Sequence, residues 1–276
     1  MEIIDAHQHF WKYNPVQHPW IDGSMQVLQN DFLPEHLSPV LAANHVSGCI
    51  AVQARETEEE THFLLKLAAS HPIIKAVVGW VDPESPRLAQ QLEKYSDAGP
   101  LRGFRPMLQN DPLRERMLLP SFLRGIGILE KQGYTCDLII LPDQLAYAAK
   151  LAREFPEMKF VIDHLAKPPI GKGERKDWED QLIAFAALEN VYCKISGMVT
   201  EADWSSWTAA SFEPYMDTVL ATFGTSRIMF GSDWPVCLLA ADYNSVLAIV
   251  RDYFAGFTST EQEQFFSLNA KTFYSF

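Results

Sequence analysis

Cysteine is scarce in this chain: its 276 residues include only Cys49, Cys136, Cys193 and Cys237. No pair has the Cys-x-x-Cys spacing, and a chain this long does not need a disulfide frame. The four thiols read as buried and free, in a reducing compartment. Positive charge is also short. Lys and Arg number 23 against 35 Asp and Glu, a formal net charge of −12. That balance argues against a nucleic-acid backbone or an anionic membrane as partner. No apolar run approaches the ~18 residues that would span a bilayer. The N-terminus carries Glu2 and Asp5 and lacks the basic segment of a signal peptide, so the cytoplasm is the expected compartment. No Gly-x-Gly-x-x-Gly follows any apolar run, which weakens a doubly wound dinucleotide-binding sheet. Linkers, low-complexity tracts and repeats are missing too, so residues 1–276 read as one domain.

What is present is alternation. Apolar runs at 2–9, 47–54, 74–82, 100–106, 134–140, 158–164, 190–196 and 227–233 are rich in Val, Ile and Phe. Several are apolar on both faces, as parallel strands covered by helices must be. Amphipathic segments lie between them. Thr57-x-x-Glu60 and Thr258-x-x-Glu261 are capping-box signals, the second ahead of Phe265, Leu268 and Phe273. Pro142-Asp143 and Asp242 open two more helices, and Gly224 closes another. The segment 121–131 is a weaker helix, because Gly125 and Gly127 fall inside it. Eight strand–helix units predict an α/β fold, a single (β/α)8 barrel. Residues 10–40 hold few regular signals and read as a long βα loop over the strand ends.

In such a barrel the site lies at the C-terminal strand ends. The first run, Ile4-Asp5-Ala6-His7-Gln8-His9, places Asp5, His7 and His9 on one face by strand alternation. Two imidazoles projecting together suit a metal ion or a carbonyl substrate. Later strands end in Gln53 and Arg55, Asp82, Arg105, Asp163-His164 and Gly231-Ser232-Asp233. Arg102 and Arg105 are three apart, so only one can point inward; Arg105, nearer the strand end, is the functional choice. Asp82-Pro83 reads first as a turn opener. Asp163 reads as a group that orients His164 or a neighbouring backbone amide. The roles of Arg102, Asp137 and Lys194 stay open. Asp233 closes a buried strand, where an unpaired carboxylate is costly. Near the two imidazoles it can bind a metal or take a proton from water; a structural salt bridge is the plainer alternative. Trp11, Trp20 and Trp234 lie near the expected mouth and could wall a pocket.

Four motifs in order resemble the amidohydrolase superfamily. They are Ile-Asp-Ala-His-Gln-His-Phe-Trp at 4–11, Leu-Arg-Gly-Phe-Arg at 101–105, Ile-Asp-His-Leu-Ala-Lys-Pro at 162–168 and Met-Phe-Gly-Ser-Asp-Trp-Pro-Val at 229–236. More narrowly they look like its lactonase branch, which includes L-fuconolactonases, L-rhamnonolactonases and pyrone-dicarboxylate lactonases. The resemblance implies a distorted barrel that opens a small ester-like ring. His7, His9 and His164 match the family's histidines, and Asp233 its water-activating acid. His7, His9, His164 and Arg105, or one bound metal, would stabilise the oxyanion. Strands four and five lack the carboxylated lysine and histidine of two-metal members. One divalent ion, zinc for preference, could be held by His7, His9, His164 and Asp233, and the branch can also work without it. The expected substrate is a neutral sugar-acid lactone. His7, His9, Gln53, Arg55, Asp82, Trp11 and Trp234 are the residues expected to contact it. A metal-dependent decarboxylase, a dicarboxylate lactonase and a non-catalytic binding protein are the alternatives. A homo-oligomer stays open.

Overall fold

The computed structural model describes all 276 residues. Eight parallel strands pair in sequence order: β1 (Ile4–Gln8), β2 (Gly48–Val52), β3 (Ile74–Gly79), β4 (Leu101–Phe104), β5 (Thr135–Leu138), β6 (Phe160–Ile162), β7 (Val191–Ile195) and β8 (Ile228–Phe230). Each lies within an apolar run of the sequence. Helices separate them, and the sheet curls into a (β/α)8 barrel. Just past the ends of β1 and β8 the circle is drawn together. His9 N–H donates to Trp234 O at 2.7 Å, and Asp233 N–H donates to His7 O at 2.8 Å. The two most informative motifs are therefore hydrogen-bonded neighbours.

Side-chain alternation sorts the core into two layers. Ile4, Ala6, Ile50, Val52, Ala76, Val78, Val161 and Met229 form an inner cluster. Ala270, Phe273 and Tyr274 from the C-terminal helix Asn269–Tyr274 join it and close the N-terminal end of the barrel. The opposite strand faces pack against the surrounding helices in one continuous apolar cluster.

Alternation misplaces Asp5. The β1–β2 register shifts between Asp5 and Gln8, the mark of a bulge. Ile4 and Ala6 enter the inner cluster, while the Asp5 carboxylate accepts from Tyr243 Oη at 3.0 Å and from Ser232 N–H at 2.9 Å. Asp5 thus ties β1 to the end of β8 rather than sharing the face of His7 and His9. Burial pushes its carboxyl up to about 6.

Two helices also depart from expectation. Thr57 Oγ1 accepts from Glu60 N–H at 3.2 Å, but the Glu60 carboxylate does not complete the box. It turns inward to Ala54 N–H at 3.0 Å and Arg55 Nε at 2.7 Å. At the C-terminus the Thr258–Glu261 box is complete. A π-helical turn over Gln264–Leu268 then adds a residue, so Phe265 and Phe273 are buried while Leu268 is 45 % exposed. Residues 10–40 do pass over the strand ends as a loop, but helix Pro34–Ala43 begins within them. An antiparallel bridge from Trp11 to Phe32 folds the loop back on itself.

Helix Pro120–Lys131 is regular despite its glycines. A Cβ on Gly125 would meet Pro83 O at 2.0 Å, so the glycine lets this helix press on the loop after β3. Gly125→Ala must push the two backbones apart and should cost about 1–3 kcal/mol. A denaturant melt checks this; an unchanged midpoint would mean the contact is not load-sharing.

Candidate active site

The strand ends open into a cavity of about 830 Å³. His9, His164, Arg105 and Asp233 line its floor. His7 lies just beneath them and is fully buried.

His9 Nδ1 lies 2.8 Å from Val52 O, which can only accept, so Nδ1 carries a proton. His9 Nε2 lies 3.2 Å from His7 Nε2. His7 has a cationic donor at each ring nitrogen: Arg105 Nη1 is 3.3 Å from Nε2 and Lys194 Nζ is 3.1 Å from Nδ1, with Asp163 Oδ1 3.3 Å from Nδ1 as well. Burial holds His7 well below the usual imidazole range, even with the Asp163 carboxylate beside it. Burial lowers His164 likewise, and its Nδ1 sits 2.9 Å from Ser196 Oγ. Asp233 Oδ1 lies 3.5 Å from His9 Nε2 and 3.9 Å from both His7 Nε2 and His164 Nε2. Burial would raise Asp233, but the neighbouring imidazoles of His164 and His9 outweigh it and hold the carboxyl below its ordinary value.

Nitrogens of His7, His9 and His164 thus gather round the Asp233 carboxylate on the cavity floor. Imidazoles grouped about one carboxylate are a ligand set that suits a divalent cation. Its spacing also suits one. Ligands ~2.0–2.2 Å from a tetrahedral zinc lie roughly 3.3–3.6 Å from one another. Ligand atoms of His7, His164 and Asp233 all fall within 4.8 Å of one another, and His9 lies beside them. The donor set fits one divalent ion.

Unusual backbone makes this convergence. His164, Leu165, Ala166 and Lys167 are four successive left-handed residues, with φ of 52°, 56°, 60° and 50°. Asp233 is also left-handed, at φ 59°. Each costs roughly 1–2 kcal/mol in a non-glycine residue. Neighbouring glycines make the room. A Cβ on Gly197 would meet His164 Nδ1 at 2.6 Å, and one on Gly231 would meet His7 Cβ at 2.6 Å. The glycine of Gly231-Ser232-Asp233 is thus what brings β8 against the first histidine.

Below the floor lies a buried charge layer. Lys194 Nζ contacts Asp137 Oδ2 at 2.6 Å and Asp163 Oδ1 at 3.0 Å. Arg105 Nη1 contacts Asp163 Oδ2 at 3.0 Å, and Tyr274 Oη donates to Asp137 Oδ2 at 2.7 Å. Asp163 therefore orients His7 and Arg105, rather than His164 as its sequence position suggests. Arg102 points away, to Ser275 O at 3.2 Å.

The residues expected at the substrate divide. Arg55 lines the cavity, held by Glu60 and by Gln17 Oε1 at 2.7 Å. Gln53 lies under it, donating to Arg105 O at 2.9 Å. Asp82 is exposed and accepts from Glu84 N–H at 2.9 Å, an ordinary turn. Trp11 is buried against Phe32, with its Nε1 donating to Asn30 O at 3.0 Å. Trp234 is buried between Phe10 and Phe32. Trp20 and Trp204 wall the cavity instead, with Lys167 and Glu201 at its rim. Trp204 and Glu201 follow β7 in a segment with no strand-end signal. Lys167 stands in the motif after His164 but offers no periodicity to single it out.

A barrel with histidines on strands one and six and an aspartate after strand eight, converging on one cation position, defines a class of barrel hydrolases. The amidohydrolase family profile matches residues 4–276. The chain belongs to the amidohydrolase family. It is 42 % identical to an L-fucono-1,5-lactonase of Burkholderia multivorans, over 90 % of this chain and 86 % of that one. A second L-fucono-1,5-lactonase, from Burkholderia ambifaria, is 36 % identical over 89 % of this chain and 85 % of its own length. An amidohydrolase structure from Burkholderia multivorans, solved with zinc bound, superposes with a TM-score of 0.96 at 37 % identity, covering 100 % of this chain and 99 % of that one.

Dialysis against zinc followed by elemental analysis should return a single ion per chain. His9→Ala should lose it, since that ring presents a lone pair fixed by Val52. Two tightly held ions per chain would contradict this reading of the site.

Proposed function

We propose that this chain hydrolyses a neutral sugar-acid lactone of the L-fucono- or L-rhamnono-lactone type. The observation that carries the reading is Asp233, a buried carboxylate held ionised among imidazoles on the floor of a sugar-sized cavity. The two L-fucono-1,5-lactonase relatives support it, and an L-rhamnono-gamma-lactonase of Scheffersomyces stipitis is 26 % identical over 52 % of this chain. Pyrone-dicarboxylate hydrolase and decarboxylase structures share only 15 % and 14 % identity and speak for the fold alone.

The cavity's charges favour a neutral substrate. Each of its cations already has a carboxylate: Arg55 has Glu60 at 2.7 Å, Lys167 has Glu201 at 2.8 Å and Arg105 has Asp163 at 3.0 Å. No two cations stand free to hold a dicarboxylate. Trp20 and Trp204 offer flat apolar walls to a sugar's C–H face. Arg55, Gln17 and Asn110 offer polar groups to its hydroxyls.

Asp233 accepts a proton from water as it attacks the ring carbonyl. Arg105 faces the oxygen that gains charge. Its guanidinium is fixed by Asp163 and by Gln53 O at 2.5 Å, so it is aimed in advance. His7 and His9 stand beside Asp233 and, as expected from the sequence, would help to stabilise the oxyanion and orient the site. A divalent ion held by His7, His9, His164 and Asp233 would supply Lewis-acid polarisation of the carbonyl.

Asp233→Asn keeps the shape and removes the base. Turnover of a six-carbon aldonolactone, followed by a pH indicator, should fall about 10²–10⁴-fold. Because the folded carboxyl titrates below its ordinary value, wild-type kcat/KM should persist further into the acid range than an ordinary carboxylate would allow, and fall as that carboxyl protonates. A variant as active as wild type, or a pyrone dicarboxylate hydrolysed faster than any aldonolactone, would refute the assignment.

A further inference from the structure

Opening a lactone ring creates two proton problems. Water loses a proton on attack, and the ring oxygen needs one when it leaves as an alkoxide, far more basic than the phenolate of an aryl ester. Asp233 answers the first. Few groups in the cavity can answer the second. Arg55 and Arg105 hold their protons too tightly to give them up. His7 is fully buried beneath the floor, and the Nδ1 proton of His9 is committed to Val52 O.

Lys167 has what is required. It lines the same cavity as His164 and Asp233. Its positive charge is felt at both of them. It closes the left-handed run that begins at His164, so the same strained backbone that places the histidine also places the lysine. Glu201 Oε1, 2.8 Å from its Nζ, holds the ammonium at the rim. With its side chain 21 % exposed, Lys167 can recover a proton from solvent after each turnover.

We propose that Lys167 is the general acid that protonates the leaving ring oxygen. The idea rests on the lactone reading above. Water oxygen bonds to the carbonyl carbon while Asp233 takes its proton. The tetrahedral species then re-forms C=O and breaks the C–O ring bond, and an Nζ proton passes to that oxygen. The products are the hydroxy acid, neutral Lys167 and protonated Asp233. The acid's own proton returns to Lys167 through solvent and Asp233 releases its proton, so each turnover frees one net proton.

All four native cysteines are buried, so a cysteine placed at 167 can be alkylated selectively. Lys167→Cys should lose about 10²-fold or more in kcat on an aldonolactone, with KM little changed. Alkylation with 2-bromoethylamine rebuilds a charged proton donor and should restore most of the rate. Alkylation with (2-bromoethyl)trimethylammonium rebuilds only the charge and should not. In Lys167→Met, hydrolysis of dihydrocoumarin, whose phenolate leaves without help, should be nearly unaffected. Restoration by both adducts, equal losses on both lactones, or an unimpaired Lys167→Cys would each overturn the proposal while leaving the lactonase standing. A wild-type protein inert to every aldonolactone would instead overturn the function on which it rests.

Discussion

The position of His7 depends on one buried carboxylate, Asp163. It touches Lys194, Arg105 and His7 at 3.0, 3.0 and 3.3 Å, with none of these groups open to solvent. Lys194 in turn binds Asp137, and Tyr274 caps that pair from the closed end of the barrel. Two cations face two carboxylates. Burial would raise Asp163, yet Lys194, His7 and Arg105 together hold it well below the ordinary range, while burial leaves Asp137 up near 6. Buried pairs of this kind add little stability over an apolar core, and removing one partner is expensive. Their use here is directional. Asp163 holds the His7 ring and the Arg105 guanidinium in place beneath the cavity floor.

Much of this was legible in the sequence because strand ends have a grammar. The eight apolar runs marked the strands, and the polar residue closing each run led to His7, His9, Arg105, His164 and Asp233. That rule assumes undisturbed alternation, and it failed after Asp5, where a register shift before Gln8 separates His7 from the face on which Asp5 meets Tyr243. Composition misled at the tryptophans. Trp11 and Trp234 lie beside functional residues in sequence, yet they build the core of the loop over the barrel. Glu60 shows a second limit. A capping-box spacing records only that a hydrogen bond is possible, and for the buried Glu60 carboxylate Arg55 was the stronger partner. The cavity's rim was least legible. Glu201 ends the short helix Met198–Glu201 after β7 and Trp204 lies in the turn that follows, and nothing local in sequence says which side chains turn inward.

Glycine and left-handed backbone explain how a regular barrel yields an irregular site. A strand that simply ended would send its last side chains outward in alternate directions. The turn from His164 to Lys167 and the turn at Asp233 redirect them toward β1. These conformations persist because the surroundings leave no alternative. Ser196 holds His164, His7 O holds the Asp233 amide, and Gly197 and Gly231 leave no side chain in the way. Strain at one place is offset by packing and hydrogen bonds at another.

The same geometry accounts for a site fit for one cation rather than two. Arg105 Nη1 already lies 3.3 Å from His7 Nε2, and Lys194 Nζ lies 3.1 Å from His7 Nδ1. Both are basic groups packed against the ring of the histidine. A second divalent ion placed there would face two cations in a medium of low dielectric, where repulsion is strong. The residues after β4 and along β5 offer it Arg105 and a lysine-bound Asp137 rather than free ligands. Under the proposed lactonase reading, the guanidinium of Arg105 would supply the positive charge that a second ion contributes elsewhere. A lactone's leaving oxygen departs more readily than an amide nitrogen, so that reading needs no second ion: one carboxylate at Asp233, one fixed cation at Arg105 and the proposed donor at the rim would cover its proton transfers and charge.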